Sequence, residues 1–381
     1  MTARLRDLRP VYVVGVGWRR YQDPSDTPYV ALGLTAIRAA IADAGVDWPV
    51  VESAYVGTAL LGMAAGRPML RHMGASGLPI VHIENASASG STAFRHACIE
   101  VASGMADLSL VVGVDKRPTA IHRSPTGVES LADDAIAPFT HFALLTNAYA
   151  QRSGVDVDDI ALVAVKNHRN GAKNPNAQRQ TERTLDDVLS GRKVSGSLTV
   201  LQCTPIGEGA AAVIIASEEG IRRWGIDAAR AVRVVASAAR SERIYDSPAG
   251  FDAALTQETV EIALKDAQVS ARELDVIELH DAFTVEELLY LESMGLCGEG
   301  QAVGLLQEGA LDIGGRWAVN PSGGLIAMGH PIGPTGVGQI GEITLQLRGE
   351  AGARQQPGAR TGLAHMVGVG AVCYAHILQR P

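Results

Sequence analysis

The order of apolar segments predicts an α/β protein of two similar halves, each built on a mixed, mainly parallel sheet, with a long insertion in the first half. Three observations carry this. Short β-branched runs alternate with Ala- and Leu-rich helical stretches, the arrangement that covers mainly parallel sheets with helices. The order repeats: Ile41–Val46 (IADAGV) and Leu264–Val269 (LKDAQV) each close a helix and each precede an acidic-apolar strand, a duplication signal at the level of whole elements. Finally, 381 residues are more than one hydrophobic core usually holds, so two core-forming halves are expected, 1–224 and 225–381.

In chain order, Val11–Gly17 (VYVVGVG) is a β-branched run closed by glycine and reads as a buried strand. Tyr29–Ala44 contains Gly33 but no proline, so it reads as a largely buried helix that Gly45 stops. Glu52–Leu60 and Leu108–Asp115 are strand candidates, with a helix over Ser91–Ser103 between them. Lys116–Leu198 is polar and repeatedly broken by Pro, Asn, Arg and Asp. It reads as a mostly helical lid or loop domain, and insertions of this length in a compact domain usually serve a function. Gly209–Ser217 (GAAAVIIAS) returns to strand. The second half then offers a strand at Val232–Ala239, a helix at Gln257–Ala267 and a strand at Leu274–His280. Gly90–Gly104 and Gly333–Gly349 are each expected to be a helix entered from a Gly/Ser-rich turn.

Composition excludes several classes of function. Hydrophobic residues make up 46% and charged residues 19%, as in a folded globular chain. The net charge of −8, without a dense Lys/Arg block, argues against nucleic acid or an anionic membrane as partner. Lys166–Lys173 (KNHRNGAK) is the best local candidate for holding a polyanion, and it reads equally as a solvated basic loop. The N-terminus lacks a signal-peptide pattern, and no apolar run reaches the ~18 residues of a membrane span. The four cysteines, Cys98, Cys203, Cys297 and Cys373, form no CxxC pair. A cytoplasmic protein without a metal centre or disulfide framework is expected.

Three segments carry candidate chemistry. Glu84–Ala93 (ENASASGSTA) is a run of small residues that turns into a helix near Gly90. A residue just before a helix meets free N–H groups and the positive dipole end, but on chemistry alone Ser87, Ser89 and Ser91 read first as caps and turn residues. Glu278–Thr284 (ELHDAFT) places His280 at the C-terminal end of a buried strand, where ligand crevices of open α/β sheets lie. A lone histidine there also reads as one satisfied by a local carbonyl. Asn320–Gly336 (NPSGGLIAMGHPIGPTG) surrounds His330 with glycine and proline too densely for a buried helix or strand. Such a loop holds His330 with little freedom, as a preorganised catalytic group needs.

Taken together, NPSGGLIAMGHPIGPTG, ELHDAFT, LQCTPIGEGAAAVIIAS and ENASASGSTAF resemble the thiolase superfamily, and most closely its sterol-carrier-type and archaeal-type branch. The likeness runs from VYVVGVG to AVCYAHIL, and GGLIAMGHPIGPTG is its most specific part. It implies a thiolase fold, a five-layer αβαβα arrangement of two similar halves plus a loop domain, as a homodimer. It implies Claisen condensation or thiolytic cleavage of a 3-oxoacyl-CoA, with coenzyme A as substrate and no covalently bound cofactor. His280 and His330 match the family's base and oxyanion-hole histidines. Asn320, Gly329 and Gly370 fall at oxyanion or substrate-binding positions. His365–Gly370 (HMVGVG) matches a loop that elsewhere holds Cys-x-Gly, and here it has no cysteine. Sterol-carrier-type members have cysteine at the position of Ala282. The HDAF form resembles the branch that works with a small partner holding a zinc ribbon and an OB fold.

The main departure is Ser87, which stands where the family has its nucleophilic cysteine, amid retained Asn85, Ala88, Ser89 and Gly90. A thiol with a pKa of about 8.5 can be tuned below neutrality, whereas a serine hydroxyl needs a general base within hydrogen-bond reach. Covalent turnover is therefore expected to be impaired or replaced. Three readings follow. The serine is a substitution that traps substrate in a thiolase. Or it is natural in an enzyme that uses only its oxyanion holes, for retro-aldol cleavage of a 3-hydroxyacyl-CoA. Or the chain is a silent CoA-ester-binding scaffold. The side-chain-cleaving aldolase branch has tyrosines where this chain has His280 and His330, which ranks that reading second.

Overall fold

The computed structural model describes residues 4–117, 138–245, 251–368 and 371–380. The first half contributes strands β1 (Val11–Gln22), β2 (Ser53–Gly57), β3 (Ile80–Ile83), β4 (Leu108–Asp115) and, after a small hairpin of β5 (Lys193–Ser195) and β6 (Leu198–Thr199), β7 (Glu208–Ser217). The second half contributes β8 (Val232–Ser241), β9 (Val276–Glu278), β10 (Ala318–Val319), β11 (Thr361–Gly368) and β12 (Val372–Gln379).

Ten strands hydrogen-bond in the order β10-β9-β11-β12-β8-β1-β7-β4-β2-β3. Read outward from the β1/β8 junction, the two halves follow one plan. β1–β7–β4 and β8–β12–β11 are antiparallel steps, and β4–β2–β3 and β11–β9–β10 are parallel steps. The junction itself is narrow, with Tyr12 opposite Arg233 and Val13 opposite Val232. The duplication in the sequence is thus a duplication of sheet topology.

The layers follow from which faces are apolar. β4 and β7 are buried at every position, because helices cover both of their faces. The helix Tyr29–Ala44 packs outside the first half's strands, and the helix Phe251–Ala267 outside the second half's. Between them run two central helices, Ser89–Ser103 and Ile332–Arg348. Phe94, Ala97 and Val101 of one meet Val337, Ile340 and Leu347 of the other, in a core that also takes side chains from strands of both halves. This gives the five layers expected of the thiolase fold. The two helices touch backbone to backbone: a Cβ on Gly90 would lie 2.4 Å from the Gly333 carbonyl oxygen. Only glycine permits that approach.

Some elements differ from the expectation. Asn320–Gly336, read as too dense in glycine and proline for a buried helix, holds the buried helix Gly324–Met328 and the buried first turn of Ile332–Arg348, where a proline needs no N–H. The strand read as Leu274–His280 is only Val276–Glu278, because the chain leaves the sheet to turn His280 toward the site. The KNHRNGAK segment is neither a phosphate cradle nor a solvated loop. It lies in the helix Leu162–Ala172, with Lys166 2% exposed and paired to Glu287. A charge run had hidden a face whose polar atoms have buried partners. The insertion is largely helical where described, with helices Pro138–Ser153, Val157–Ile160, Leu162–Ala172 and Leu185–Leu189. Tyr149, Ile160, Val163 and Val188 of these helices join the core of the second half. Among the described residues no helix is long and apolar enough to cross a membrane.

Candidate active site

Ser87 sits two residues before the helix Ser89–Ser103, on a turn where Ala86 has φ +47°. A non-glycine residue in that region is unusual, and it marks a backbone held by its surroundings. The Asn85 N–H donates to Ser89 Oγ at 2.8 Å, and the Asn85 side chain donates to Thr92 Oγ1 at 3.0 Å. The serine is left partly exposed at the helix entrance.

His330 lies in the loop before the helix Ile332–Arg348 and is anchored to the first half at two points. Its own N–H donates to the Pro205 carbonyl at 3.1 Å, and the Gly333 N–H donates to Asp115 Oδ2 at 2.6 Å. Its Nε2 is 3.1 Å from Ser87 Oγ, and its Nδ1 is 2.8 Å from Thr335 Oγ1. The Thr335 hydroxyl donates its proton to the Pro331 carbonyl at 2.6 Å. Thr335 can therefore only accept from His330, which places the ring proton on Nδ1. Nε2 is then unprotonated and accepts from the Ser87 hydroxyl. Burial pushes the His330 pKa down to about 3, with a contribution from neighbouring His280. The ring is a neutral base held against the serine.

His280 follows β9, and its ring centroid is 5.6 Å from that of His330, with the planes perpendicular. Its Nδ1 is 3.3 Å from Glu286 Oε1. The same carboxylate accepts from the Tyr290 hydroxyl at 3.0 Å and the Phe283 N–H at 2.8 Å. His280 is thus backed by a carboxylate and His330 by a hydroxyl. The sequence reading missed both partners. Glu286 is visible only as one of two adjacent acids at the start of a helix, and Thr335 only as the residue that ends the GHPIGPT run.

Beneath the two histidines lies a buried polar network. Lys166 donates to Glu287 Oε2 at 3.2 Å, to the Val319 carbonyl at 2.7 Å and to Asn167 Oδ1 at 2.6 Å. Asn167 donates to Asp281 Oδ2 at 2.7 Å. Burial, and then the proximity of Glu287, raise the Asp281 pKa. Asn320 is held here too: Oδ1 accepts from the Leu279 N–H at 2.9 Å and Nδ2 donates to Glu287 at 2.8 Å. Its amide is committed to the network that supports the β9 turn. The Gly329 N–H, with φ +98° at that residue, donates to the Leu325 carbonyl at 3.2 Å. Gly370 lies outside the described residues. Ala282 joins an apolar cluster with Phe283, Cys203 and Leu325. Burial raises the thiols of Cys203 and Cys373 to about 12, so neither is a nucleophile near neutrality.

Behind the His330 loop lies a cavity of about 20 Å³ lined by Glu278, Ser322, Thr335, Gln339 and Glu342. It has room for one water and none for an acyl group. The structure thus brings the Ser87 hydroxyl against one ring nitrogen of His330, with the His280 ring beside it.

Two family models match the sequence. Residues 20–219 match the thiolase N-terminal domain and residues 236–380 the thiolase C-terminal domain-like model. Sterol carrier protein 2 of Homo sapiens is 35% identical over 95% of this chain and 70% of its own length. An acetyl-CoA acetyltransferase of Methanothermobacter thermautotrophicus is 31% identical over 98% of this chain and 100% of its own. A solved Ltp2-ChsH2(DUF35) aldolase superposes with a TM-score of 0.84 over 98% of both chains, at 20% identity, a likeness of fold alone. The chain belongs to the thiolase family of acyl-CoA acyltransferases.

Proposed function

We propose that Ser87 is the acyl-accepting nucleophile in cleavage of a 3-oxoacyl-CoA, with His330 as its base. The observation that carries this is the 3.1 Å contact between Ser87 Oγ and His330 Nε2, with the ring proton on the far nitrogen. Attack on the 3-keto carbon passes the hydroxyl proton to Nε2. The resulting N–H faces the substrate and serves one oxyanion hole. His280, oriented by Glu286, bounds the second hole and steadies the enolate that leaves as C2–C3 breaks. The backbone N–H of Gly370 belongs to this reading as a further oxyanion donor. Asn320 and Gly329 shape the loop that carries His330 and the turn that carries His280.

Three further parts of the reading concern the setting: breakdown of lipid acyl chains, a cytoplasmic homodimer, and a small OB-fold and zinc-ribbon partner. Support for the partner comes from the HDAF form of the His280 turn and from the DUF35 component named with the aldolase that shares this fold. Retro-aldol cleavage of a 3-hydroxyacyl-CoA is the second reading. It is favoured by Ser87 at the cysteine position, since that reaction needs no adduct on the enzyme, and by the aldolase that shares this fold.

Intact-protein mass spectrometry after incubation with a 3-oxoacyl-CoA separates them. The covalent reading expects an acyl adduct on Ser87 that is absent from Ser87→Ala. Cleavage of the CoA ester with no adduct at any time supports the aldol route. Neither adduct nor cleavage overturns both.

A further inference from the structure

We propose that water, rather than coenzyme A, is the acyl acceptor in the second half of the reaction, so that the chain hydrolyses the C2–C3 bond of a 3-oxoacyl-CoA to a free carboxylic acid and a shortened acyl-CoA. The inference rests on the reading of Ser87 as nucleophile and concerns what happens after it is acylated.

The argument starts from the atom that holds the acyl group. On a cysteine the intermediate is a thioester, and its transfer to the thiol of CoA exchanges one thioester for another. On Ser87 the intermediate is an oxyester, stabilised by donation from the ester oxygen that sulfur supplies poorly. Passing that acyl group to a thiol runs uphill, and passing it to water runs downhill. The site then has to admit water and activate it. Ser87 is partly exposed. Once Ser87 is acylated, its hydroxyl proton no longer occupies His330 Nε2, and Thr335 and Pro331 still hold the ring proton on Nδ1. The base that served the serine is released, unprotonated, beside the ester carbonyl, where a water can give it a proton.

The steps balance. Ser87 Oγ bonds to C3 and its proton moves to His330 Nε2. The C2–C3 bond breaks with its electron pair on C2, as the enolate of the shortened thioester, and the proton on His330 returns to C2. Water then attacks the seryl ester, giving its proton to His330 Nε2. The Oγ–C bond breaks and that proton returns to Oγ. The sum is one 3-oxoacyl-CoA and one water consumed, one carboxylic acid and one acyl-CoA formed.

The test uses the full chain with 3-oxohexanoyl-CoA in heavy-oxygen water, with CoA omitted. The expected result is many turnovers per chain to acetyl-CoA and butanoate, the butanoate carrying one solvent oxygen, at a rate that added CoA leaves unchanged. His330→Ala should slow this about 10²–10⁴-fold. Ser87→Cys should instead require CoA and release butanoyl-CoA. One equivalent of acetyl-CoA followed by a lasting adduct on Ser87 would overturn the inference and leave the nucleophile reading intact. Butanoyl-CoA as the main product of the unaltered chain would do the same. Absence of both acetyl-CoA and adduct would remove the nucleophile reading and, with it, this one.

Discussion

His280 and His330 stand 5.6 Å apart, ring to ring, yet they are supported by opposite chemistry. His280 leans on a buried carboxylate, Glu286, which also fastens the Phe283 N–H and the Tyr290 hydroxyl. His330 leans on the uncharged hydroxyl of Thr335. Glu286 gathers three donors and so ties the His280 ring to two other segments, whereas the Thr335 hydroxyl, having given its own proton to Pro331, fixes the tautomer of His330.

Removing the backing groups tests that contrast. Glu286→Ala strands three buried donors, so the cost in stability should be about 3–5 kcal/mol, since each buried polar group left without a partner costs about 1–3 kcal/mol. Glu286→Gln, which keeps an acceptor, should cost less. Urea unfolding of the two variants measures the gap, and equal costs would mean that the carboxylate's charge has no part in holding His280.

Thr335→Val leaves the His330 Nδ1 proton without an acceptor in a buried site, at about 1–3 kcal/mol. It also frees the ring to place its proton on Nε2, where it cannot accept from Ser87. Seryl adduct formation should therefore slow by more than the loss of stability alone explains. An adduct rate equal to that of the unaltered chain would show that Thr335 does not set the tautomer.

The smallest expected effect is on pH dependence. His330 acts in its neutral form and would lose that form only as pH falls through about 3. Between pH 8 and pH 5 its protonation does not change, so it should impose no loss of single-turnover adduct formation in that range. A fall in rate with a midpoint near the ordinary histidine value of about 6.5, abolished in a His330 variant, would mean that the ring is solvated and that the contrast with His280 is weaker than the geometry implies.

Legibility in the sequence divided along a physical line. The GHPIGPT loop could be read as functional because glycine and proline restrict the backbone locally, and the restriction is written in adjacent residues. Ser87 was legible only through the family resemblance, because a run of small residues before a helix reads first as turn and cap residues. Glu286 and Thr335 were not legible, because a hydrogen bond to a ring nitrogen has no periodicity. Lys166 misled for a related reason. Its charge suggested solvent, while its partners Glu287 and the Val319 carbonyl lie more than a hundred residues away. Asn320, expected at an oxyanion or substrate-binding position, has its side chain bonded to the Leu279 N–H and to Glu287, contacts between distant segments that no local pattern announces.

The alternation of strands and helices, the repeat of that order and the rigid loop around His330 are set by near neighbours along the chain. Each depends on propensity, burial period and turn chemistry within a few residues, so the primary structure alone was enough. The shared strand order of the two halves, the meeting of Ser87 with His330 and the choice of carboxylate or hydroxyl behind each imidazole depend on contacts between distant segments. Those were decided only when the two central helices closed on each other at Gly90 and Gly333, where the absence of side chains let two backbones, and the two sides of the site, come together.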